Sequence, residues 1–307
     1  MTRTVAWGAL ALALALATSC AQQRSATTAE FTATEREPER GRVLRRTLRA
    51  DQSHEYLLYV PARAAPGGPI FVTVHGISRN VEEHATLFAP LAEEHQAVLI
   101  APYFTRDRDD DYQQLSKGRA GRRADVTLDA IIKEVATATG ANGQRFYLFG
   151  FSGGAQFSHR YVLAHPERVI AAAIGAAGWY TFPDDRKPYP YGLGPSAERS
   201  GLRFDAARFL RVPITVLVGK DDIEGGESLR RNPTVDEQQG TTRLERARRW
   251  VEAMNQAARQ RGLTPHVTLQ EVPGIEHSFR EFMRDGELGE RVFTALFGSS
   301  SSVGVKP

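Results

Sequence analysis

The sequence contains a single cysteine, Cys20, among its 307 residues. One thiol cannot form a disulfide within the chain, and it cannot supply the several thiolates of a cysteine-based zinc site. The sequence therefore excludes both, so the fold has to rest on a packed apolar core. A hydrophobic content of 41% is ordinary for a folded soluble domain and provides material for such a core.

An excess of charge of one sign is also missing. The 39 basic residues nearly balance the 36 acidic ones, which leaves a formal net charge of +3. No stretch combines clustered basic side chains with interleaved aromatic residues, the pattern that is typical of nucleic-acid binding. We therefore expect no nucleic-acid partner.

Long apolar runs are absent, and the most apolar segment is short. Residues 5–17 are mainly Ala and Leu and follow Arg3. A run too short to span a bilayer, placed between a positive start and small residues, is typical of a signal-peptide core. The alternation of charges at residues 36–49 indicates a solvated linker or a strand face.

Cys20 follows this apolar run directly, in the sequence LATSC at residues 16–20. The segment resembles the lipobox of bacterial lipoproteins, although Ala17 occupies the place where that motif prefers leucine. The resemblance implies a lipid on Cys20 and a lipoprotein facing the periplasm or the cell exterior, held to the membrane only by that lipid. The alternative is ordinary signal cleavage without a lipid.

The chain divides by composition into four segments. Residues 1–20 form the lipoprotein-type signal segment, and residues 21–42 are polar enough to be a flexible tether. Residues 43–298 are predicted to form the folded domain, and the serine-rich residues 299–307 a disordered tail.

Short β-branched or aromatic runs alternate with segments of helical spacing through the folded domain. This alternation predicts an α/β fold, with a mostly parallel central sheet and helices on both faces. Two segments, 178–211 and 222–242, are predicted as long loops, which in compact domains are usually functional or mobile. The predicted strands are 54–60, 70–74, 97–100, 146–149, 169–174, 214–218 and 267–269, and the predicted helices are 81–94, 125–138, 153–164 and 243–260.

One predicted strand runs into GFSGG at residues 150–154, and a predicted helix follows. This is the G-x-S-x-G pattern, in which a sharp turn exposes the serine and the glycines let strand and helix approach without a Cβ clash. Ser152 is therefore the candidate nucleophile, favoured by the strand and the helix around it over a helix-capping serine in a glycine-rich turn.

A nucleophilic serine needs a base, and the base needs an orienting acid. His277 lies in a loop after the last predicted strand, at the sheet edge where Ser152 is expected, whereas His75 suits a loop that lines the site. The other histidines are assigned to surface or capping roles; they are His54, His84, His95, His159, His165 and His266.

The acid is expected between Ser152 and His277 in the sequence, after a strand. Asp221 and Asp222 follow the predicted strand 214–218, and Asp184 and Asp185 are weaker candidates. The order Ser, Asp, His is that of the α/β-hydrolases and differs from the orders of the two other familiar serine-protease folds.

These motifs resemble the bacterial α/β-hydrolases that include poly(3-hydroxybutyrate) depolymerase-like and feruloyl-esterase-like proteins, over about residues 54–297. The residues that carry the resemblance are the His-Gly pair at 75–76, the pentapeptide at 150–154, Gly-x-x-Asp at 219–222, and His277. The resemblance implies that Asp222 is the acid and that the backbone N–H groups of Gly153 and Ile77 form the oxyanion hole.

The sequence thus predicts a serine hydrolase that cleaves small or oligomeric carboxylic esters through an acyl-enzyme, with no cofactor and no metal. Two alternatives stay open: a serine peptidase of the same fold, and a non-catalytic binding protein that retains the fold. Aromatic residues at 179–191 either line an apolar substrate pocket or only pack the loop that carries them.

Overall fold

A computed structural model of the protein describes residues 38–119, 121–199, 201–223 and 229–298. Cys20 with its lipobox, most of the predicted tether and the predicted tail lie outside the described residues. Within the part of the chain that is described, no helix has both the length and the apolar character needed to cross a membrane.

The centre of the molecule is one eight-stranded sheet with the order β1-β2-β4-β3-β5-β6-β7-β8. The β1–β2 and β2–β4 pairs are antiparallel, and all other neighbouring pairs are parallel. The predicted mostly parallel sheet is therefore confirmed. The strands are β1 Val43–Thr47, β2 Glu55–Tyr59, β3 Ile70–Val74, β4 Val98–Tyr103, β5 Phe146–Phe151, β6 Val169–Gly175, β7 Ile214–Gly219 and β8 Val267–Val272.

The helices connect these strands and cover the sheet. Three of them, α1, α3 and α6, have the predicted bounds. The α-helices are α1 Val81–Glu94, α2 Ala124–Thr139, α3 Gly153–Ala164, α4 Ala206–Phe209, α5 Pro233–Gln239, α6 Arg243–Gln260, α7 Phe279–Arg284 and α8 Leu288–Phe297, and short 3₁₀ helices lie at Tyr112–Gln114 and Pro166–Arg168.

Each face of the sheet carries its own apolar layer. Successive side chains of a strand point to opposite faces, so Phe71 and Val72 of β3 belong to different layers. Side chains of α2, α3 and α6 pack on the Val72 side, and side chains of α1, α7 and α8 pack on the Phe71 side. A strand covered on both faces lacks the alternation of apolar and polar side chains, which is why β3 and β7 were predicted from short runs of apolar residues with one threonine each.

Two sequence predictions are wrong in part. The first long loop contains α4, and the second contains α5. The signal for α5 was present in the sequence, because Pro233 suits the first turn of a helix and the side chain of Asn232 caps it by accepting a hydrogen bond from Thr234 N.

The charged segment near residue 45 forms the edge strand β1, where charged side chains are common.

The carboxyl ends of the parallel strands meet at one edge of the sheet. Ser152 follows β5, Asp222 lies shortly after β7, and His277 lies shortly after β8. In open α/β sheets, ligands bind outside this edge. The topology therefore places all three residues where a site is expected.

Candidate active site

Ser152 occupies a strained turn between β5 and α3. Its φ of 53° and ψ of −111° lie outside the regions that residues with a side chain usually adopt. Its backbone N–H donates to Gly175 O at 2.8 Å, which ties the turn to β6. The side chain makes no capping hydrogen bond to α3, so the alternative of a helix-capping serine is not realised. The turn leaves the hydroxyl free for another partner.

The glycines on either side of Ser152 are required by close backbone contacts. A Cβ atom on Gly150 would lie 2.2 Å from Gly154 O, and one on Gly154 would lie 2.0 Å from Val74 O. Both distances are far inside van der Waals contact, so neither position accepts a side chain without a backbone shift. The glycines thus allow α3 to approach the sheet closely enough to present Ser152 at its edge.

His277 connects Ser152 to Asp222. The Ser152 Oγ and His277 Nε2 atoms are 3.0 Å apart, and His277 Nδ1 is 2.9 Å from Asp222 Oδ2. A carboxylate only accepts hydrogen bonds, so the Nδ1–H of His277 donates to Asp222 and Nε2 can accept from the serine. The structure therefore joins the three predicted residues in one hydrogen-bonded chain.

Of the two adjacent aspartates, Asp222 is buried and faces His277, whereas Asp221 is exposed. Their side chains leave the turn after Gly219 in different directions. Asp184, another predicted candidate, pairs with Arg186 at 2.9 Å on the aromatic loop.

The two predicted oxyanion donors lie next to each other. A Cβ atom built on Gly153 would be 3.2 Å from Ile77 N, so these two backbone nitrogens border the same small space. Gly153 is the first residue of α3, where unsatisfied N–H groups and the helix dipole favour negative charge. The hydroxyl of Tyr112 also borders this space, and it donates to His75 O at 2.9 Å.

No protein-family model matches the chain. Among proteins of known function, the chain is 28% identical to feruloyl esterase B of Talaromyces funiculosus over 131 residues, which are 41% of this chain and 36% of that esterase. The match thus spans little more than a third of the relative's length.

Two solved structures superpose on most of the chain. Poly(aspartic acid) hydrolase-1 from Sphingomonas sp. KT-1 is 25% identical with a TM-score of 0.69, and the match covers 84% of this chain and 100% of that one. The poly(3-hydroxybutyrate) depolymerase LpqC from Bordetella parapertussis is 27% identical with a TM-score of 0.66, and the match covers 82% and 94%. The chain has the α/β-hydrolase fold. Its predicted resemblance to depolymerase-like and feruloyl-esterase-like proteins is confirmed.

Asp222 has a second charged partner, which the sequence did not predict. Arg243 Nη1 donates to Asp222 Oδ1 at 3.0 Å, and the two side chains are only 2% and 1% exposed. Arg243 begins α6, and both Arg243 and Arg246 are buried. A buried carboxylate requires such compensation, so the arginine holds the acid on the side opposite His277.

A cleft of about 380 Å³ opens beside Ser152 and His277. Ile77, Phe151 and Phe279 contribute apolar walls, and the Phe151 ring stacks on the His277 ring with centroids 5.3 Å apart. This stacking limits the rotation of the imidazole, so it keeps both ring nitrogens aimed at their partners.

His75 is a structural histidine of the hydrolase. Its Nδ1–H donates to Gly76 O at 2.8 Å, and its Nε2 accepts from Phe104 N at 3.1 Å. Burial lowers the pKa of His75 to about 4, so the ring is neutral at physiological pH. Both nitrogens are occupied by backbone groups, and the ring therefore fixes the loop that carries Ile77.

Three histidines predicted to have surface or capping roles, His54, His84 and His159, are buried, so that prediction is wrong for them. His84 stacks on Phe279 with centroids 3.9 Å apart, and His159 Nε2 accepts from Thr181 N at 2.9 Å. Burial holds the pKa of the His84 and His159 imidazoles well below the ordinary value of 6.5.

Acidification from pH 7 to pH 5 is therefore expected to destabilise the hydrolase. His75, His84 and His159 bind protons more readily in the unfolded chain, so the stability they contribute is present above pH 6.5 and is lost as the pH falls toward their folded values. His75 alone corresponds to about 2 kcal/mol over this interval.

Urea unfolding at the two pH values measures this change. The variant His84→Gln should lose less stability between pH 7 and pH 5 than the wild type does. An unfolding free energy that stays constant or rises on acidification would contradict the assignment of these histidines as buried neutral groups.

The aromatic loop packs against the body of the domain. Tyr180 is fully buried and stacks on Trp250 with centroids 4.9 Å apart. Trp179 lies between two guanidinium groups, those of Arg160 at 4.3 Å and Arg230 at 5.1 Å from its ring centre. Tyr180 therefore has a packing role, and the cleft beside Ser152 takes its apolar walls from other segments.

The acidic segment at residues 107–111 includes one buried side chain, Asp109. Asp109 accepts from Thr105 N at 3.1 Å and lies 3.5 Å from His54. Among the residues that the structure describes, no group of three or more His, Cys, Asp or Glu side chains is arranged to hold a metal ion.

Proposed function

We propose that this α/β-hydrolase is a serine esterase, which cleaves carboxylic esters through an acyl-enzyme intermediate. The observation that carries the proposal is the hydrogen-bonded chain from Ser152 through His277 to the buried Asp222. A nucleophile, a base within reach of it and an acid that orients the base are the three parts that acyl transfer requires.

The first half of the proposed reaction forms the acyl-enzyme. His277 Nε2 takes the proton from Ser152 as Oγ attacks the ester carbonyl carbon. The carbonyl oxygen becomes an oxyanion and accepts hydrogen bonds from the backbone N–H groups of Gly153 and Ile77. When the tetrahedral intermediate collapses, the protonated His277 gives its proton to the leaving alcohol.

In the second half, a water molecule repeats the attack. His277 takes a proton from water, hydroxide adds to the acyl carbon, and the collapse returns the proton to Ser152 Oγ and releases the acid. The carboxylate of Asp222 stabilises the imidazolium in both halves and keeps Nε2 facing the serine. Arg243 fixes the carboxylate in that orientation.

The names of the similar proteins support ester cleavage over other reactions of the fold. The matched feruloyl esterase and poly(3-hydroxybutyrate) depolymerase are esterases by name, whereas the matched poly(aspartic acid) hydrolase is named for a polyamide. Amide cleavage by the same acyl chemistry is therefore the second candidate.

A matched set of substrates tests this choice. The purified domain would be assayed with p-nitrophenyl esters and p-nitroanilides of the same acyl groups. Serine peptidases also hydrolyse activated esters, so the anilides decide between the two candidates. We expect turnover of the esters and no measurable turnover of the anilides. Hydrolysis of the anilides would make the protein a peptidase or amidase, and the absence of turnover of either class in folded protein would favour the binding-protein alternative.

We also propose that the hydrolase is exported and is anchored by a lipid on Cys20, a residue outside the described part of the chain. The support is the sequence alone: a short apolar run after Arg3 and a lipobox-like segment that ends in the chain's single cysteine.

Expression of the full chain in a bacterium tests the anchor. The wild type should partition into detergent and carry a lipid mass on Cys20, whereas Cys20→Ser should be recovered in the aqueous phase or as the uncleaved precursor. A mature protein that begins at another residue and carries no lipid would contradict the proposal.

A further inference from the structure

The residue after Ser152 is a glycine that the G-x-S-x-G pattern does not require. A Cβ atom on Gly153 would lie 2.6 Å from the hydroxyl oxygen of Tyr112 and 2.9 Å from Ile77 Cγ2. Both distances are shorter than a Cβ atom tolerates, so the place of a side chain is already taken. The Tyr112 hydroxyl therefore packs against the residue that supplies one of the two oxyanion donors.

The same hydroxyl holds the loop that supplies the other donor. Tyr112 donates to His75 O at 2.9 Å, and the His75 side chain donates to Gly76 O at 2.8 Å. Arg79 Nη1 donates to Ile77 O at 2.8 Å. The carbonyl groups of residues 75–77 thus each accept a hydrogen bond from a side chain. In a planar trans peptide the N–H points away from the carbonyl, so a held carbonyl also directs the next N–H.

This loop depends on such contacts because a glycine lies at its centre. A Cβ atom on Gly76 would lie 3.3 Å from Ser152 Cβ, so the close approach of the two segments favours glycine there. Glycine leaves the backbone free to adopt many conformations, and the rigidity of the loop must come from its neighbours. Tyr112 is one such neighbour, and its hydroxyl joins the loop to the start of α3.

Tyr112 is itself held in one place. It is 1% exposed, and its ring lies 5.2 Å from the Phe104 ring and 5.5 Å from the His75 ring, between centroids. Burial raises the pKa of the Tyr112 hydroxyl above its ordinary value of 10, so the group stays protonated at neutral pH. Its proton is donated to a backbone carbonyl, so the hydroxyl acts on the loop and not on the substrate.

We propose that Tyr112 is a positioning residue for acyl transfer, which keeps the N–H groups of Ile77 and Gly153 at the spacing that the oxyanion requires. The inference rests on the proposed esterase function and adds to it a residue outside the Ser152, His277 and Asp222 unit.

The variant Tyr112→Phe removes the hydroxyl and keeps the ring. Loss of a whole oxyanion donor costs about 10²- to 10³-fold in kcat, and this variant only loosens the two donors. We therefore expect kcat to fall about 30-fold. The oxyanion forms only in the transition state, so KM should stay within about twofold of wild type.

Tyr161→Phe is the matched control. Tyr161 is also buried, lies on α3, and donates its hydroxyl proton to Asp129 at 2.6 Å. The same atom is lost, but the hydrogen bond that it made does not involve the oxyanion loop. Its kcat should stay within about twofold of wild type, and circular dichroism should show that both variants fold.

A pair of ketone inhibitors separates a positioning role from a packing role. Ser152 adds to a trifluoromethyl ketone and forms a tetrahedral adduct whose oxygen occupies the oxyanion hole, whereas the matching methyl ketone binds largely without this addition. In Tyr112→Phe, the dissociation constant of the trifluoromethyl ketone should rise about as much as kcat falls, and that of the methyl ketone should not change.

Gly153→Ala disturbs the same contact from the other side, because its Cβ atom must displace the Tyr112 hydroxyl. We expect a lower kcat at unchanged KM. Adding Tyr112→Phe to this variant should cost less than in the wild type, since the contact is already lost.

Three results would each overturn the inference: additive losses in the double variant, a Tyr112→Phe variant as active as Tyr161→Phe, or equal weakening of both ketones. In all three, the wild type still hydrolyses esters, so the proposed function stands. If the folded wild type neither hydrolyses esters nor forms the ketone adduct, the esterase function itself fails, and the inference fails with it.

Discussion

Asp222→Asn is expected to lower kcat/KM by about 10⁴-fold, whereas Asp221→Asn should stay within about tenfold of wild type. Asp222 accepts the Nδ1–H of His277 at 2.9 Å, and its other oxygen accepts from Arg243. An amide of the same shape still offers one oxygen, and Arg243 competes for it. The amide NH₂ group then faces His277 and holds the imidazole in the wrong tautomer, which is the effect known from serine proteases.

Asp221→Asn is an internal control for Asp222→Asn. Both changes convert a carboxylate to an amide in the same turn, and only the buried member of the pair reaches His277. Rates are measured on one ester with circular dichroism spectra of both variants. A loss of activity in Asp221→Asn together with an active Asp222→Asn would show that Asp221 is the acid and that the assignment to Asp222 is wrong.

Ser152→Ala is expected to lower kcat by about 10⁴-fold or more, because the loss of one member of such a unit removes nearly all of its contribution. The substitution deletes only the hydroxyl, which contacts His277 and does not cap α3. The thermal midpoint should therefore stay close to that of the wild type, and the residual rate should reflect the oxyanion hole and binding alone.

Ser158→Ala is the matched control for this variant. Ser158 lies on α3, the helix that follows Ser152, and is also buried, and its hydroxyl has no hydrogen-bond partner among the described residues. Removal of an unpaired buried hydroxyl should leave activity within about tenfold of wild type and should not lower stability. A Ser152→Ala variant that keeps activity comparable to Ser158→Ala would place the nucleophile elsewhere.

The parts of the fold that the sequence predicted are those encoded by local pattern. Strands β3 and β7 contain no charged residue and only one threonine each because both of their faces are covered, and α3 follows the glycine-rich turn of the G-x-S-x-G pattern. The positions of Ser152, Asp222 and His277, each after a predicted strand, also indicated that the three residues lie close together, since parallel strands bring their carboxyl ends to one edge.

The parts that were missed depend on contacts between distant segments. Nothing near Arg243 in the sequence shows that its guanidinium lies 3.0 Å from a carboxylate 21 residues earlier. The hydroxyl of Tyr112 reaches the space beside Gly153 from a polar segment with no regular pattern. His84 is different, because it shares a helical face with Val81, Ala85 and Phe88, and that spacing marks a buried position.

The central claim, that Ser152 is a nucleophile activated by His277, is tested most directly by covalent labelling with a fluorophosphonate followed by peptide mass spectrometry. The reagent reacts with an activated serine and leaves ordinary hydroxyls unmodified. We predict one adduct in the wild type, on the peptide that contains Ser152, none in Ser152→Ala and normal labelling in Ser158→Ala. Equal labelling of Ser152→Ala, or no labelling of folded wild-type protein, would contradict the account.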